Sequence, residues 1–415
     1  MKAQRATRHP IRPIAALVAV ALTLAACAGS DESSESTPDS AADSAVETEP
    51  APETVDSAID EPPAEPDETT TSVEAAPEPE PTATTPEPEP ACPPAVANEV
   101  TQPAGIVASF DRSAFEISEG VAVDQSGNVY VTLPPLGQIV RFAPGSSDYE
   151  VFAEVPDWDL APEAYFVDHF GILGLALDAD GNVHAAVDSA GRAGVWKFDC
   201  QTGEGTRFAG TEDMLFANAL AFDDQGNLFV TESFSGTEGD VPLGAIWKIT
   251  PDGVAAKWLE NTTLGGPNRF NLAKPNGANG IAFRDGLLYV NVLQQTSIVT
   301  IPVLDDGSPG EIVPYVVSDN AFINDGLALD SEGRVYVTDV ITNGIVRVEP
   351  DGTVVPIAGG TDQGFDGPTS FAFGVGATEL TIYAVNLAGG SYEPNDLPGP
   401  ALIAIDVDTP GMPLP

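Results

Sequence analysis

A short sequence motif, the phrase, is repeated six times between residues 119 and 374. Four of its copies begin with a side chain that carries an oxygen donor. Each copy has a polar or small start, often with Gly, and continues as an apolar run. The copies open with Glu119, Leu173, Asn218, Asn279, Asp325 and Thr369. Carboxylate and carboxamide oxygens, without thiolate or imidazole, are the ligands that hard cations prefer. If these side chains meet, they predict a divalent metal site, with calcium as the default ion.

The same residue types have a second explanation. Asn and Asp often begin strands because their side chains make local turns, and the channels of ring-shaped β proteins are commonly polar because water fills them. Four donors in one register of the repeat are more than scattered turn residues usually give. This favours the metal site, while the turn interpretation stays open.

The repeats also predict the elements that position these side chains. Successive copies start 54, 45, 61, 46 and 44 residues apart. Periods near 45 with several short strands each are typical of propeller blades, because one four-stranded sheet must stack on its neighbours to bury both faces. The phrase is the innermost strand of each blade, so its opening residues converge at one mouth of the central channel.

Turn residues divide each repeat into four strands. In the fifth repeat we expect strands at 326–330, 334–339, 345–348 and 353–357, separated by Gly, Asn and Pro turns. No sustained helical period follows residue 92, so the fold is all-β. The last repeat lacks a fourth strand. Residues 104–110 can supply it and close the six-bladed, four-stranded antiparallel β-propeller from the N-terminal side.

This pattern resembles the senescence marker protein/gluconolactonase family, and more distantly the paraoxonases and diisopropyl-fluorophosphatase, which are six-bladed calcium propellers. The resemblance covers residues 102–408. In that family a Glu opens the first phrase, Asn residues open two middle phrases and an Asp-Gly opens a later one. The matching positions here are Glu119, Asn218, Asn279 and Asp325. The resemblance therefore implies that these four residues bind the metal.

The resemblance also implies hydrolysis of a small lactone or ester. In this chemistry the metal polarises the carbonyl group and a neighbouring carboxylate activates water. Asp325 is the expected carboxylate. Paraoxonase-like enzymes use a His near the mouth, and His169 is the weaker candidate for that role, with a loop or supporting role favoured for it. His184 lies within a strand and is interpreted as a packing residue.

A non-catalytic propeller is the alternative. It would bind a ligand or protein partner at the cell surface, with calcium as a structural ion. Two departures from the family pattern support it. Ala219 follows Asn218 where the family has an acidic partner, and no Arg matches the one that would hold a sugar acid. A deep pocket beside the metal would favour the enzyme, whereas a closed ligand sphere would favour the structural ion.

The first 26 residues predict export. Basic residues precede an apolar run at 14–26, which is the layout of a secretory signal and too short for a membrane span. Residues 24–27 read Leu-Ala-Ala-Cys and resemble the bacterial lipobox, in which the Cys is lipidated. We expect Cys27 to carry a lipid anchor on the extracytoplasmic side of the membrane; the alternative is an ordinary signal with an incidental Cys.

Charge and composition describe the rest of the chain. Residues 28–91 contain 19 acidic residues and no Lys or Arg, which predicts that 27–91 is a disordered linker between anchor and propeller. The propeller at 92–415 has 44 acidic and 12 basic residues, which excludes nucleic-acid binding and disfavours contact with anionic lipid beyond the anchor. No Gly-x-Ser-x-Gly, metal-binding His pair or phosphate loop occurs, so serine catalysis is not expected.

Two cysteines remain if Cys27 is lipidated. Thiols of exported proteins tend to pair. We therefore expect a disulfide between Cys92 and Cys200, and two unpaired thiols are the alternative because spacing does not establish proximity.

Overall fold

The protein folds into a ring of six four-stranded antiparallel sheets. The computed structural model describes residues 92, 100–268, 274–317, 324–340, 342–349, 351–388 and 398–413. In these residues the expected all-β propeller is confirmed. The signal segment, the lipidation site at Cys27 and the acidic linker lie outside the described residues and stay predictions.

The strands follow the repeats. β1 (Gly105–Ser109) precedes the first repeat. Blade one consists of β2 (Val121–Val123), β3 (Val129–Leu133), β4 (Gln138–Phe142) and β5 (Tyr149–Glu154). Blade two consists of β6 (Gly171–Leu177), β7 (Val183–Asp188), β8 (Gly194–Phe198) and β9 (Gly205–Arg207). Blade three consists of β10 (Ala217–Phe222), β11 (Leu228–Glu238), β12 (Val241–Ile249) and β13 (Ala255–Asn261).

The second half of the ring has the same organisation. Blade four consists of β14 (Ala278–Arg284), β15 (Leu287–Val292), β16 (Ser297–Pro302) and β17 (Val313–Val317). Blade five consists of β18 (Asn324–Leu329), β19 (Val335–Asp339), β20 (Gly344–Val348) and β21 (Val354–Gly359). Blade six contains β22 (Pro368–Phe373), β23 (Thr381–Asn386) and β24 (Ala401–Asp406).

Helical segments are short. Turns of 3-10 helix lie at Arg112–Ala114, Pro134–Leu136, Pro162–Ala164, Leu293–Gln295, Thr361–Gln363 and Gly376–Thr378. Within the described part of the chain, no helix has the length and apolar character needed to span a membrane.

The N-terminal strand closes the ring. β1 pairs antiparallel with β24, with Gly105 opposite Ala404 and Ser109 opposite Ala401, and so becomes the outermost strand of blade six. Chain segments from both ends of the propeller thus share one sheet, which pairs the edge of β24 that would otherwise stay open. The predicted closure by residues 104–110 is confirmed.

The Asp residue at the end of many of the repeated phrases stabilises a tight turn. Asp124 accepts hydrogen bonds from the backbone N–H groups of Ser126 and Asn128, both at 2.9 Å. Equivalent turns follow Asp178, Asp223 and Asp330. These carboxylates connect the first strand of a blade to the second, so part of the acidic excess is explained by the fold.

The core lies between the blades. Each pair of neighbouring blades shares a cluster of buried apolar side chains; for example, Tyr130 and Ile139 of blade one pack with Ile172 and Phe198 of blade two. A seventh cluster lies apart from these six and contains Phe170, Leu173 and Phe216. Cys92 and Cys200 form a disulfide, with their Cα atoms 5.9 Å apart.

Candidate functional site

The four oxygen-donor residues meet in one cavity. Glu119, Asn218, Asn279 and Asp325 all line a cavity of about 70 Å³ at one end of the channel. Thr369 lines it as well, whereas Leu173 packs in the separate aromatic cluster with Phe170 and Phe216. The convergence expected from the repeats is therefore present, and the role of these residues as metal ligands stays a prediction.

β-bulges give these side chains their direction. The pairing of β10 with β11 shifts between Ala217 and Leu220, that of β14 with β15 between Ala278 and Ile281, and that of β18 with β19 between Asn324 and Leu327. Asn218, Asn279 and Asp325 each lie inside one of these irregularities. A bulge releases a residue from the ladder and redirects its side chain, as is common next to functional sites.

Threonine side chains fix the backbone at the same level of the ring. The Thr231 hydroxyl donates to the carbonyl oxygen of Asn279 at 2.7 Å, and the Thr338 hydroxyl donates to that of Thr369 at 3.1 Å. The Thr369 hydroxyl in turn donates to the carbonyl oxygen of Glu119 at 2.9 Å. These bonds run from one blade to the next, so neighbouring blades position each other's cavity residues.

The glycine in the second position of the phrase allows the inner strands to approach. A Cβ atom on Gly280 would lie 2.5 Å from the Leu327 nitrogen and 2.6 Å from the Asp325 carbonyl oxygen. A Cβ atom on Gly326 would lie 2.8 Å from the carbonyl oxygen of Thr369. Since real Cβ contacts are longer, the cavity residues of blades four to six can converge only with Gly at these positions.

The ionised forms of the two carboxylates in the cavity are electrostatically unfavourable. Burial raises the pKa of Glu119 well above its usual value, and the neighbouring charge of Asp325 raises it further. Burial also raises the pKa of Asp325 to about 7, although a hydrogen bond from Asn279 opposes this rise. The Oε2 atom of Glu119 is buried without a hydrogen-bond partner. Such a pair of carboxylates is unfavourable unless a positive charge or a proton joins it.

A divalent cation fits this donor set. Glu119 and Asp325 would neutralise its two charges, and the amide oxygens of Asn218 and Asn279 would add neutral ligands. The described residues hold no group of three or more His, Cys, Asp or Glu side chains suited to a metal. The two carboxylates and two carboxamides stay the predicted metal ligands, and their oxygen-only chemistry matches calcium or another hard cation.

An aromatic group adjoins the carboxylates. Tyr165 is only 7% exposed. Its pKa is raised well above the usual value, first by burial and then by the charges of Glu119 and Asp325. Phe166, which lies 4.4 Å from Tyr165 between ring centroids, continues into the cluster around Phe170. Tyr165 has no sequence motif that singles it out, and only the aromatic content of residues 165–170 gives a signal.

His169 does not line the carboxylate cavity. Its Nδ1 atom lies 3.0 Å from the Asp188 carboxylate, which also pairs with the Lys274 ammonium at 2.6 Å and accepts the Phe170 N–H at 3.0 Å. The loop or supporting role favoured for His169 over a catalytic one stays a prediction. Asp188 and Lys274 were not singled out from the sequence because no local motif joins residues from blades two and four.

His184 lies near the other end of the channel. Its Nε2 atom is 3.1 Å from Asp178, and its ring stacks on Phe208 at 5.7 Å between centroids. It lines a larger cavity of about 760 Å³, formed by the opposite ends of the inner strands. This agrees with the packing role expected for it.

The fold and the cavity define a six-bladed β-propeller with an oxygen-donor site at one mouth of its channel. Residues 189–386 match the sequence model of the SMP-30/Gluconolactonase/LRE-like region, which confirms the resemblance to this family. The matched part includes Asn218, Asn279 and Asp325. No curated protein matches the chain.

Solved structures share the fold at low sequence identity. Regucalcin from Agrobacterium tumefaciens, described as a calcium-binding protein, is 16% identical, with a TM-score of 0.54 over 76% of this chain and 97% of that one. A luciferin-regenerating enzyme is 14% identical, with a TM-score of 0.53 over 72% and 94%. The aldose sugar dehydrogenase of Streptomyces coelicolor is 18% identical, with a TM-score of 0.51 over 73% and 96%. These similarities show the propeller fold alone.

Proposed function

We propose that this chain is a calcium-dependent hydrolase of a small lactone or ester, exported and held at the cell membrane by a lipid on Cys27. The observation that carries the proposal is the buried Glu119 Oε2 atom, which lacks a hydrogen-bond partner and shares its cavity with Asp325. The family of the region at 189–386 supports a lactonase-type activity. The composition of residues 1–91 supports export and anchoring.

The cation accounts for the electrostatics of the cavity. Burial makes the ionised forms of Glu119 and Asp325 costly, and the charge of Asp325 adds to this cost for Glu119. The pair would bind a divalent ion more strongly than a monovalent one, because the ion neutralises both charges at once. A regucalcin with this fold is described as calcium-binding, which supports the choice of ion. When bound, the cation would polarise the substrate carbonyl and stabilise negative charge on its oxygen.

The protein's own residues supply the remaining chemistry. Asp325 is the base that accepts a proton from water as the water oxygen bonds to the carbonyl carbon. The ring C–O bond of the lactone then breaks, and the leaving oxygen takes up the proton, so lactone and water give one hydroxy acid. Asn279 hydrogen-bonds the Asp325 carboxyl group and keeps it in position. His169 is held by Asp188 and has no direct step in this scheme.

A specific observation favours a second candidate function. The cavity of about 70 Å³ is well below the roughly 300–1,000 Å³ of ordinary ligand pockets, so it suits an ion better than a whole substrate. A propeller with a closed cation site can be a binding module for a ligand or a protein partner, with the ion as a structural element. Under both functions the chain binds no nucleic acid, because of its acidic charge.

Two measurements on the purified chain decide between these functions. Calcium binding is measured by calorimetry, and hydrolysis is measured with aldonolactones, acyl lactones and aryl esters before and after chelation. We expect calcium-dependent turnover that is lost in a folded Asp325→Asn variant. Asp223→Asn is the matched control, because Asp223 is a buried carboxylate in a turn away from the cavity. Calcium binding without turnover would leave the binding module as the function, and absence of binding would refute the proposal.

A further inference from the structure

The end of the channel opposite the carboxylates holds a cavity large enough for a small molecule. Its volume is about 760 Å³, which lies within the roughly 300–1,000 Å³ of ordinary ligand pockets. Most of its wall is apolar. The wall includes five phenylalanine rings and one methionine, namely Phe208, Phe222, Phe283, Phe371, Phe373 and Met412. Flat rings and a flexible thioether pack well against an aromatic ligand. We call this space the far cavity.

A layer of apolar side chains lies between the far cavity and the carboxylate cavity. Five residues line both cavities: Val121, Leu175, Ile281, Leu327 and Phe371. None of the four oxygen-donor residues of the carboxylate cavity lines the far cavity. A molecule in the far cavity would therefore be held by its own set of side chains, independently of the predicted metal ligands.

His184 gives the far cavity a polar atom without a partner. It lines the cavity and is 4% exposed. Its Nε2 atom lies 3.1 Å from the Asp178 carboxylate, and because a carboxylate only accepts hydrogen bonds, Nε2 carries the proton. Burial lowers the pKa of His184, which favours the neutral ring. The other nitrogen, Nδ1, is then an acceptor, and no group in the described part of the chain donates to it.

Packing explains the position of the His184 ring but not its Nδ1 atom. The ring stacks on Phe208 at 5.7 Å and meets Phe222 edge to face at 5.1 Å between centroids. A buried acceptor without a hydrogen bond is costly. A buried water makes about three hydrogen bonds, and these two rings offer it none. A ligand with one donor on an apolar body would satisfy both the nitrogen and the wall around it.

The charges of the far cavity disfavour an anionic ligand. Among the described residues of its wall, Lys197 is the single basic one, and its ammonium lies 3.0 Å from the Asp178 carboxylate. Asp180 and Asp224 also line the cavity and are exposed. A carboxylate or phosphate group would be repelled by these two charges, because the nearby ammonium is already paired. A neutral ligand avoids this cost.

We propose that the far cavity binds an uncharged aromatic molecule whose hydroxyl or N–H group donates to His184 Nδ1. The phenylalanine rings and Met412 contact the aromatic body, and the one acceptor orients it. Phenols, naphthols and indoles have this chemistry. The proposal goes beyond the hydrolase function and does not depend on it, because the predicted metal ligands lie on the other side of the apolar layer.

The hydrogen bond is tested with two probes of similar shape and the purified chain. 2-Naphthol carries a hydroxyl donor, whereas 2-methoxynaphthalene has the same rings and no donor. We expect calorimetry to show about threefold to tenfold tighter binding of 2-naphthol, which is the usual contribution of one hydrogen bond. Equal affinities, or binding of neither probe, would refute the proposal. 2-Naphthoate, which is negatively charged, should bind more weakly than both, and tighter binding of it would refute the uncharged ligand class.

His184→Phe removes the acceptor and keeps an aromatic ring in its place. This variant should bind 2-naphthol and 2-methoxynaphthalene with equal affinity. His169→Phe is the matched control, because one ring nitrogen of His169 also pairs with a buried carboxylate, that of Asp188, but His169 does not line the far cavity. The control should keep the preference of wild type for 2-naphthol. The same preference in a folded His184→Phe protein would overturn the assignment of His184.

A spectroscopic measurement on wild type decides the question even if His184→Phe does not fold. The chain has three histidines, and His9 belongs to the expected signal segment. Protein labelled with nitrogen-15 in histidine is titrated with each probe. 2-Naphthol should shift the Nδ1 resonance of His184 and leave those of His169 unchanged, and 2-methoxynaphthalene should produce no comparable shift. A shift at His169 alone, or at neither histidine when 2-naphthol is saturating, would refute the proposal.

Discussion

Glu119 of blade one and Asp325 of blade five share one cavity, where burial and then the charge of Asp325 raise the pKa of Glu119. The pair is unfavourable for the fold because burial removes the water that would stabilise two negative charges. It is retained by an interblade arrangement of bulges, glycines and threonine hydroxyls that brings both residues to the same place. This combination is the pattern expected of a site that trades stability for ligand binding.

Neutralising Glu119 should stabilise the protein in the absence of cations. Glu119→Gln removes one of the two buried carboxylates, whose pKa is raised by burial and by the charge of Asp325. We expect urea unfolding in the presence of chelator to show a higher free energy of unfolding, together with loss of the stabilisation by calcium. Glu332→Gln, at an exposed carboxylate, is the control and should change neither quantity. A Glu119→Gln protein that calcium still stabilises fully would contradict the site.

Adding one methyl group to an inner strand should disturb the cavity. Gly280→Ala places a Cβ atom 2.6 Å from the Asp325 carbonyl oxygen, so the two strands must separate. We expect a loss of about 1–3 kcal/mol in unfolding free energy and at least tenfold weaker calcium binding by calorimetry. Gly352→Ala is the comparison, because its backbone has a φ of 83° but open space around it. It should lower stability without weakening calcium binding, and equal weakening in both variants would contradict the argument.

The buried histidine of blade two should make stability fall in mild acid. Burial lowers the pKa of His184, although the Asp178 carboxylate opposes this effect. The unfolded chain therefore takes up a proton near the ordinary value of about 6.5, while the folded protein takes it up only at lower pH. Stability is complete above that value and decreases as the pH falls below it. Asp325 and Glu119 also titrate with raised pKa values, but they do so in wild type and variant alike. The unfolding free energy of wild type relative to that of His184→Phe should therefore decrease between pH 7.5 and 5.5. An unchanged slope in the variant would exclude His184 as its source.

The disulfide should contribute strongly to the stability of the propeller. Cys92 and Cys200 are separated by 108 residues, and closing a loop of that length reduces the entropy of the unfolded chain by an amount worth about 4–5 kcal/mol in the chain-entropy model. We expect Cys200→Ser to lower the unfolding free energy by about 2–5 kcal/mol and reduction of wild type to have the same effect. A reductant that further destabilises Cys200→Ser would indicate another pairing.

The repeat was enough to predict the ring. Each of the six copies of the phrase predicts the inner strand of one blade, and the regular spacing between copies leaves room for the other strands. It also predicted which residues converge. It did not predict the direction in which their side chains point. That direction is set by β-bulges, such as the one between Asn324 and Leu327, which depend on the pairing with the next strand. Tyr165, Asp188 and Lys274 were missed for a related reason. Their contacts join loops of different blades, and no periodicity in the sequence reports on such contacts.

Lipidation of Cys27 should determine where the protein is found. If residues 24–27 are a lipobox, Cys27→Ser removes the thiol that receives the lipid, and an acidic chain with a net charge of −47 has no other attraction to an anionic membrane. We expect wild type in the membrane fraction and Cys27→Ser in the soluble exported fraction, measured by immunoblot after cell fractionation. Ser33→Ala is the control, because it changes a side chain of the linker and leaves the Cys27 thiol in place. Membrane association of Cys27→Ser equal to that of wild type would show that Cys27 is not the anchor.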